Sequence, residues 1–161
     1  MTTGFGYREL TDAERDQFLK DHVHGILSFS DGAAYAIPLG YFYRKGDLLL
    51  GLTKPGRKID CVQKSPKVCF TICRPRWQTP DLKGSCITAV VEGELEELTD
   101  RSYYGLKPLP EAIASRVITF RIKVDKMSAR ECTIKPCELF ARPWVDAKTY
   151  AHWVHEPEKS T

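Results

Sequence analysis

Thr53, Arg57 and Lys58 are the first residues in this chain whose types and spacing suggest chemistry. They lie in "GLTKPGRKIDCVQKSP", Gly51 to Pro66, where an apolar run stops at a Thr and a Pro-Gly break. Two adjacent cations follow, then a short helical pattern that Ser-Pro closes. The first turn of a helix has backbone N–H groups without partners and a partial positive charge, so it is a natural seat for phosphate. Arg57 can grip such a group bidentately, and Lys58 adds a point charge. Thr53, at the strand end just before, can donate a hydroxyl hydrogen bond. A Gly-Arg-Lys triplet alone reads first as a solvated turn with its cations facing water, so its surroundings decide.

Those surroundings begin with "Tyr35-Ala36-Ile37-Pro38-Leu39", a strand pattern with a proline inside it. Proline cannot donate to a ladder, so Pro38 belongs at an edge or beside a bulge. Backbone groups released along Ala36, Ile37, Pro38 and Leu39 could meet the polar rim of a flat ligand. A hairpin follows, then a second strand ending in Leu52-Thr53, then the anion turn.

The elements that must position these residues are mostly strands. Thr11 with Glu14 predicts a capped helix over 11–21, with Phe18 and Leu19 on its apolar side. "Ser30-Asp31-Gly32" and "Arg44-Lys45-Gly46-Asp47" punctuate three strands between His22 and Leu52. Ile37, Leu39, Tyr41 and Tyr43 share one parity, as do Leu48, Leu50 and Leu52. Val68, Phe70 and Ile72 share a face, as do Ile87, Ala89, Val91, Gly93 and Leu95. In "VITFRIKVD", Ile118, Phe120, Ile122 and Val124 alternate with polar residues. "ARECTIKPCELFARPW" predicts one more strand, at an edge because of Pro136. Helical pieces broken by Gly105, Pro108 and Pro110 occupy 99–116, and a short helix is expected over 146–155. The fold class implied is mainly β: a six- or seven-stranded antiparallel barrel or sandwich with peripheral helices.

Composition narrows the function. A chain of 161 residues, 42% hydrophobic and 28% charged, is an ordinary single globular domain spanning 1–161. Net charge is only +3 and the basic residues are scattered, which argues against nucleic acid as a partner. No apolar run approaches a membrane span, and "MTTGFGYREL" lacks the layout of a secretory signal; the expected location is cytoplasmic. The six cysteines are then expected to be reduced and packed. Neither Cys69 with Cys73 nor Cys132 with Cys137 sits on a metal knuckle, so no metal site is expected. His22, His24, His152 and His155 read as surface residues. Trp77, flanked by Arg74 and Arg76, can either anchor its loop on the barrel or cap a ligand on a neighbouring subunit.

The ordered set of pieces "LTDAERDQFL", "HGILSFSDGAAYAIPLGYFY", "GDLLLGLT", "PGRKIDCVQ", "KSPKVCFTI" and "GSCITAVVEGELEEL" resembles the FMN-binding split β-barrel superfamily. These are the pyridoxamine 5′-phosphate oxidase-like proteins, and the likeness is nearest to their 5-nitroimidazole-resistance branch. It covers roughly residues 8–125. The resemblance implies a homodimer with one FMN per subunit in a groove between subunits. It also implies that Arg57 and Lys58 hold the FMN phosphate with help from Thr53. The strand Ala36–Leu39 would run beside the isoalloxazine, with Leu52 on the neighbouring strand. Ser85 would lie near the flavin or its phosphate, and 126–161 would be a C-terminal extension packed on the barrel or dimer.

Two departures stand out. Tyr35 takes the place of a phosphate-binding Arg found in some oxidases, and "ELFARPWVDAKTYAHW" lacks the C-terminal Arg and Trp pattern of true pyridoxamine phosphate oxidases. Pyridoxamine phosphate is therefore not the expected substrate. The branch's flavin-side His has no counterpart at the middle-barrel positions, so nitro reduction is not expected either. The resulting expectation is an FMN flavoprotein of oxidoreductase type, acting on a small molecule, with a nicotinamide cofactor as a candidate reductant and no side chain marked as catalytic. Non-catalytic flavin storage, or a haem- or deazaflavin-binding variant of the fold, are the alternatives.

Overall fold

The computed structural model describes residues 2–3, 6–75 and 85–134. They fall into two compact units. The larger comprises Leu10–Cys73 and Thr88–Ala129; the smaller takes in the described residues of 2–9, 74–87 and 130–134. The chain runs β1 (Thr2–Thr3), β2 (Tyr7–Glu9), α1 (Asp12–Asp21), β3 (His24–Phe29), β4 (Ala36–Arg44), β5 (Asp47–Thr53) and α2 (Arg57–Lys64). It continues through β6 (Lys67–Arg74), β7 (Ile87–Glu97), a 3-10 turn (Ser102–Tyr104), α3 (Glu111–Ala114) and β8 (Val117–Cys132).

In the larger unit, six strands in the order β8-β5-β4-β3-β6-β7 close on themselves through β7–β8 pairing. The fold is thus an antiparallel six-stranded barrel with few helices, and β2 adds a further strand along the end of β8. Alternation chose the inward face. Leu27 and Phe29, Tyr41 and Tyr43, Val68, Phe70 and Ile72, and Phe120 and Ile122 are all buried. Leu48, Leu50 and Leu52 are sealed with them at 1% exposure or less. Leu49 is buried too, although it turns to the opposite side. Tyr104 comes down on that side, its hydroxyl donating to Asp47 at 2.5 Å.

Several local signals have their counterparts. Thr11 accepts from the Glu14 amide at 3.3 Å and Glu14 accepts from the Thr11 amide at 2.8 Å, completing a capping box. Buried Phe18 and Leu19 then face the barrel, and the Tyr41 and Tyr43 hydroxyls donate to the Leu19 carbonyl and to Asp16. The β4–β5 hairpin turns through Lys45 and Gly46, both at positive φ, as a tight twisted hairpin requires.

Two features differ from expectation. The strands β1 and β2 carried no clear signal in so short a stretch. The predicted pair of strands over "VITFRIKVD" and "AREC…" is one continuous strand of 16 residues. No Gly or Pro interrupts Val117–Cys132. Its partner changes from β5 at Val117–Arg121 to β2 at Arg130–Cys132, so the strand continues past its first ladder. Pro136, the 146–155 helix, Cys137, Trp144, Trp153 and the last two histidines lie outside the described residues.

Candidate functional site

Three neighbouring pieces of the larger unit build the site: the first half of β4, the end of β5 and the start of α2. The β4–β5 register runs from Arg44–Asp47 to Tyr41–Leu50 and stops. Continued, it would set Pro38 opposite Thr53, but there β5 pairs only with β8, at Thr53–Val117. On its other side β4 stays paired with β3, where Ile26 faces Pro38. Phe29 bonds to Tyr35 at 3.0 Å and Tyr41 to Val23 at 2.9 Å. Alternate residues of an antiparallel ladder point their polar groups to opposite sides. By parity, the backbone groups of Ala36 and Pro38 turn toward the opening between β4 and β5. Pro38, lacking an N–H, sits where no ladder partner is present to receive one. The expected local edge is therefore real, and it is the slit in the barrel.

At the end of β5, the Lys54 amide donates to the Arg116 carbonyl at 2.8 Å. The chain then turns through Pro55 and Gly56 into α2. Gly56 adopts φ 151°, which glycine reaches without the cost that a side chain would add. No side chain caps this helix. The Gly56 carbonyl accepts from Ile59 and Asp60, while the amides of the turn before them have no intrahelical acceptor. The contrast with α1, closed by Thr11 and Glu14, is direct. One helix start is sealed by its own sequence, and the other presents donors and a positive end to solvent.

Thr53 and Arg57 are exposed beside that start, and Lys58 is half-buried. The Arg57 guanidinium lies over the Tyr35 ring, 4.1 Å from its centroid. Tyr35 in turn stacks on Phe29 at 5.2 Å. The aromatic residue standing in place of a further cation thus supports the cation that is present. Stacking occupies a face of the guanidinium and leaves its N–H edge available.

A second contact ties the β3–β4 loop to α2: the buried Cys61 thiol donates to Asp31 at 3.2 Å. Burial, and then the Asp31 partner, push the Cys61 thiol above its ordinary range. The Cys61 hydrogen bond, and then the Ala33 amide, hold the Asp31 carboxyl below its own. Cys61 is therefore a protonated donor at neutral pH and not a nucleophile. Sequence reading placed it among packed thiols without its partner, because Asp31 is thirty residues away.

Of the remaining expected residues, Ile37 and Leu39 are half-buried and Leu52 is wholly buried. Leu52 can offer only backbone to a ligand. Ser85 belongs to the smaller unit, where its carbonyl accepts from Arg74 at 3.3 Å. Trp77 lies outside the described residues. His24 is exposed, and the half-buried His22 ring pairs with the Phe18 carbonyl at 2.7 Å. Among the described residues no group of three or more His, Cys, Asp or Glu could hold a metal ion.

Among the described residues of the larger unit, two clefts bear on the site. One of about 600 Å³ is lined by Lys54, Pro55, Ser115 and Arg116, at the turn that leads into α2. Arg116 escaped sequence reading because only the β5–β8 ladder brings it beside Lys54. The other, about 470 Å³, is lined by residues including Asp47, Glu96, Asp100, Tyr104 and Arg121. Three of its acids, Asp47, Glu96 and Asp100, are already engaged. Arg121 meets Glu96 at 2.6 Å and holds that carboxyl below its ordinary range. Asp100 accepts from the Ser102 hydroxyl at 2.6 Å and the Tyr103 amide at 3.1 Å. This cleft is part of the scaffold.

A closed six-stranded barrel slit between β4 and β5, with an uncapped helix start beside the slit, defines a split barrel. The sequence matches the pyridoxamine 5′-phosphate oxidase family over residues 11–131, and the chain belongs to that family. Among solved structures, it is similar to an FAD-binding protein from Mesorhizobium loti at 25% identity, with TM-score 0.61. That likeness covers 78% of this chain and 98% of the other. A protein from Bacteroides thetaiotaomicron described as a 5-nitroimidazole antibiotic resistance protein shares 16% identity, with TM-score 0.62 over 80% of this chain and 89% of that one. A heme binding protein from Mycobacterium smegmatis shares 14% identity, with TM-score 0.55 over 74% of this chain and 57% of that one. At those identities the last two carry the fold alone. Curated proteins provide no match.

Proposed function

We propose that the protein binds a flavin, FMN in the simplest form, and serves as an oxidoreductase. The uncapped first turn of α2 beside the slit carries this reading. Its amides, Arg57, Lys58 and the Thr53 hydroxyl would hold the phosphate. The polar backbone of Ala36 and Pro38, turned into the slit, would meet the rim of the ring system. The donor set fits the group: the phosphate end finds cations and amides, and the ring end finds backbone acceptors and donors. Family membership supports the reading, as does the FAD-binding relative.

A bound flavin supplies hydride or single-electron transfer, and the protein's part is to bind, orient and shield it. Tyr35 keeps Arg57 in place, and Cys61 with Asp31 keeps the loop before β4 against α2. Exposed Ile26 and Phe42, on the outer face shared with Pro38, suit coverage by a second copy of the chain, so a homodimer forms part of the proposal. No helix in the described residues is long and apolar enough to cross a membrane, and location in the cytoplasm remains part of the reading.

The test is direct. Purified protein is scanned for absorption, then denatured, and the released small molecule is weighed by mass spectrometry. Flavin bands with the mass of FMN or FAD support the proposal. A Soret band, a deazaflavin mass, or an apoprotein that fails to bind added FMN overturns it. Turnover of NADH or NADPH with an artificial acceptor then separates an enzyme from a carrier.

A further inference from the structure

The cleft of about 600 Å³ at Lys54, Pro55, Ser115 and Arg116 is not used by the reading above. Its size lies within the range of small-molecule sites, and its walls carry two cations. Lys54 and Arg116 are fixed side by side by the backbone bond between them, 2.8 Å from amide to carbonyl. Both are exposed. Among the described residues neither forms an ion pair, whereas Arg8, Arg15, Arg121, Lys123 and Arg130 all do. Two exposed cations opposite each other on paired backbone can close on one anion.

Position adds to charge. Pro55 forms the cleft wall, and Arg57, two residues later, begins α2. Two residues span about 7 Å of extended chain, so an anion in the cleft lies within reach of one seated on the helix. The volume exceeds what a lone phosphate needs, and the Pro55 ring offers an apolar surface to whatever the phosphate carries. Ser115 points its hydroxyl at the Ala112 carbonyl, 3.1 Å away, so the cations are the cleft's free donors.

We propose that the Lys54–Arg116 cleft is a second phosphate subsite, taking the distal phosphate of a dinucleotide. The inference rests on the reading of α2 as the seat of the first phosphate. The second phosphate has two possible sources: the pyrophosphate of a flavin dinucleotide, or a phosphate of a nicotinamide dinucleotide that serves as reductant.

The experiment compares the wild-type protein with Lys54→Ala/Arg116→Ala. FMN, FAD and NADPH are titrated separately, the flavins by fluorescence and NADPH by calorimetry. Because both side chains are exposed, the double variant keeps its fold, which circular dichroism verifies; Arg116→Glu serves as a second, charge-reversed variant. If the source is the flavin itself, wild type binds FAD about tenfold or more tighter than FMN, and the variants lose that margin while FMN affinity holds. If the source is the reductant, FMN and FAD bind alike, and the variants weaken NADPH by a similar factor. Variants that leave all three ligands unchanged overturn the subsite. Wild type that binds neither flavin marks failure of the flavin reading instead, and the NADPH arm then decides the cleft by itself.

Discussion

Removing the Arg57 guanidinium tests the site at its most specific point. Arg57 is exposed and makes no ion pair among the described residues; its guanidinium lies 4.1 Å from the Tyr35 ring centroid and also reaches the Cys61 thiol. Arg57→Ala therefore costs the folded protein little. The lost cation–π contact is worth about 0.5–1 kcal/mol at an exposed position, a shift of a few degrees in Tm at most. Toward FMN the loss is larger. A hydrogen bond to a charged group contributes about 1.5–3 kcal/mol, or roughly 10–150-fold in Kd, with exposure and salt favouring the lower end.

Riboflavin has the same ring system without the phosphate, so it should bind wild type and Arg57→Ala equally. The pair of ligands and the pair of proteins form a double-mutant cycle whose coupling isolates the phosphate contact. Tyr35→Ala should lie between, weakening FMN about two- to fivefold because Arg57 loses its platform. Titration by flavin fluorescence, with melts of each apoprotein, provides every corner. Equal weakening of riboflavin and FMN refutes the phosphate role, since Arg57 would then act on the ring or the fold. Unchanged FMN binding refutes the seat itself.

Two further predictions concern the barrel. In Gly93→Ala, the new Cβ meets the Lys123 carbonyl oxygen, and neither β7 nor β8 can yield without breaking its pairing. The expected loss is about 2–3 kcal/mol in urea unfolding, and an unchanged midpoint would contradict the close approach. Tyr43 is pushed up to about 12 by burial first and by its bond to Asp16 next. Its neutral form is favoured on folding, so its contribution is fully present below the unfolded value near 10 and is lost as pH rises from there to about 12. Tyr43→Phe should flatten that alkaline decline in urea midpoints taken across the interval; an identical slope would assign the decline elsewhere.

The parts of this protein that a sequence can announce are those set by near neighbours. Thr11 and Glu14 are three residues apart, and Lys45-Gly46 carries its own turn. The proposed phosphate seat reads from the sequence for the same reason: Thr53, Gly56, Arg57 and Lys58 lie within six residues of chain, and a helix start advertises its chemistry locally. Tyr35 under Arg57, Asp31 on Cys61 and Arg116 beside Lys54 were not legible. Each joins residues 22 to 62 positions apart, and only strand pairing or helix docking selects the partner. Leu49 failed differently. Alternation describes a sheet with one covered face, yet Leu49 is buried, and on its side of β5 the Tyr104 hydroxyl meets Asp47.

Pro38 shows how the two kinds of information meet. Its sequence demands a position without a ladder donor, yet it lies in a strand flanked on both sides, β3 at one and β5 at the other. Both conditions hold only if the β4–β5 ladder stops before reaching it, as it does at Tyr41–Leu50. An unfilled ladder edge is a liability, because free backbone groups invite another strand. Here proline removes the donor of one position, and the chain beyond Thr53 diverts into α2 instead of pairing onward. On the proposed reading the ligand's ring then satisfies the groups that remain, and its phosphate lands where the diverted strand has become a helix start. The break in the barrel and the anion seat are thus one feature. A substitution that restored the ladder would close the slit even with Arg57 and Lys58 intact.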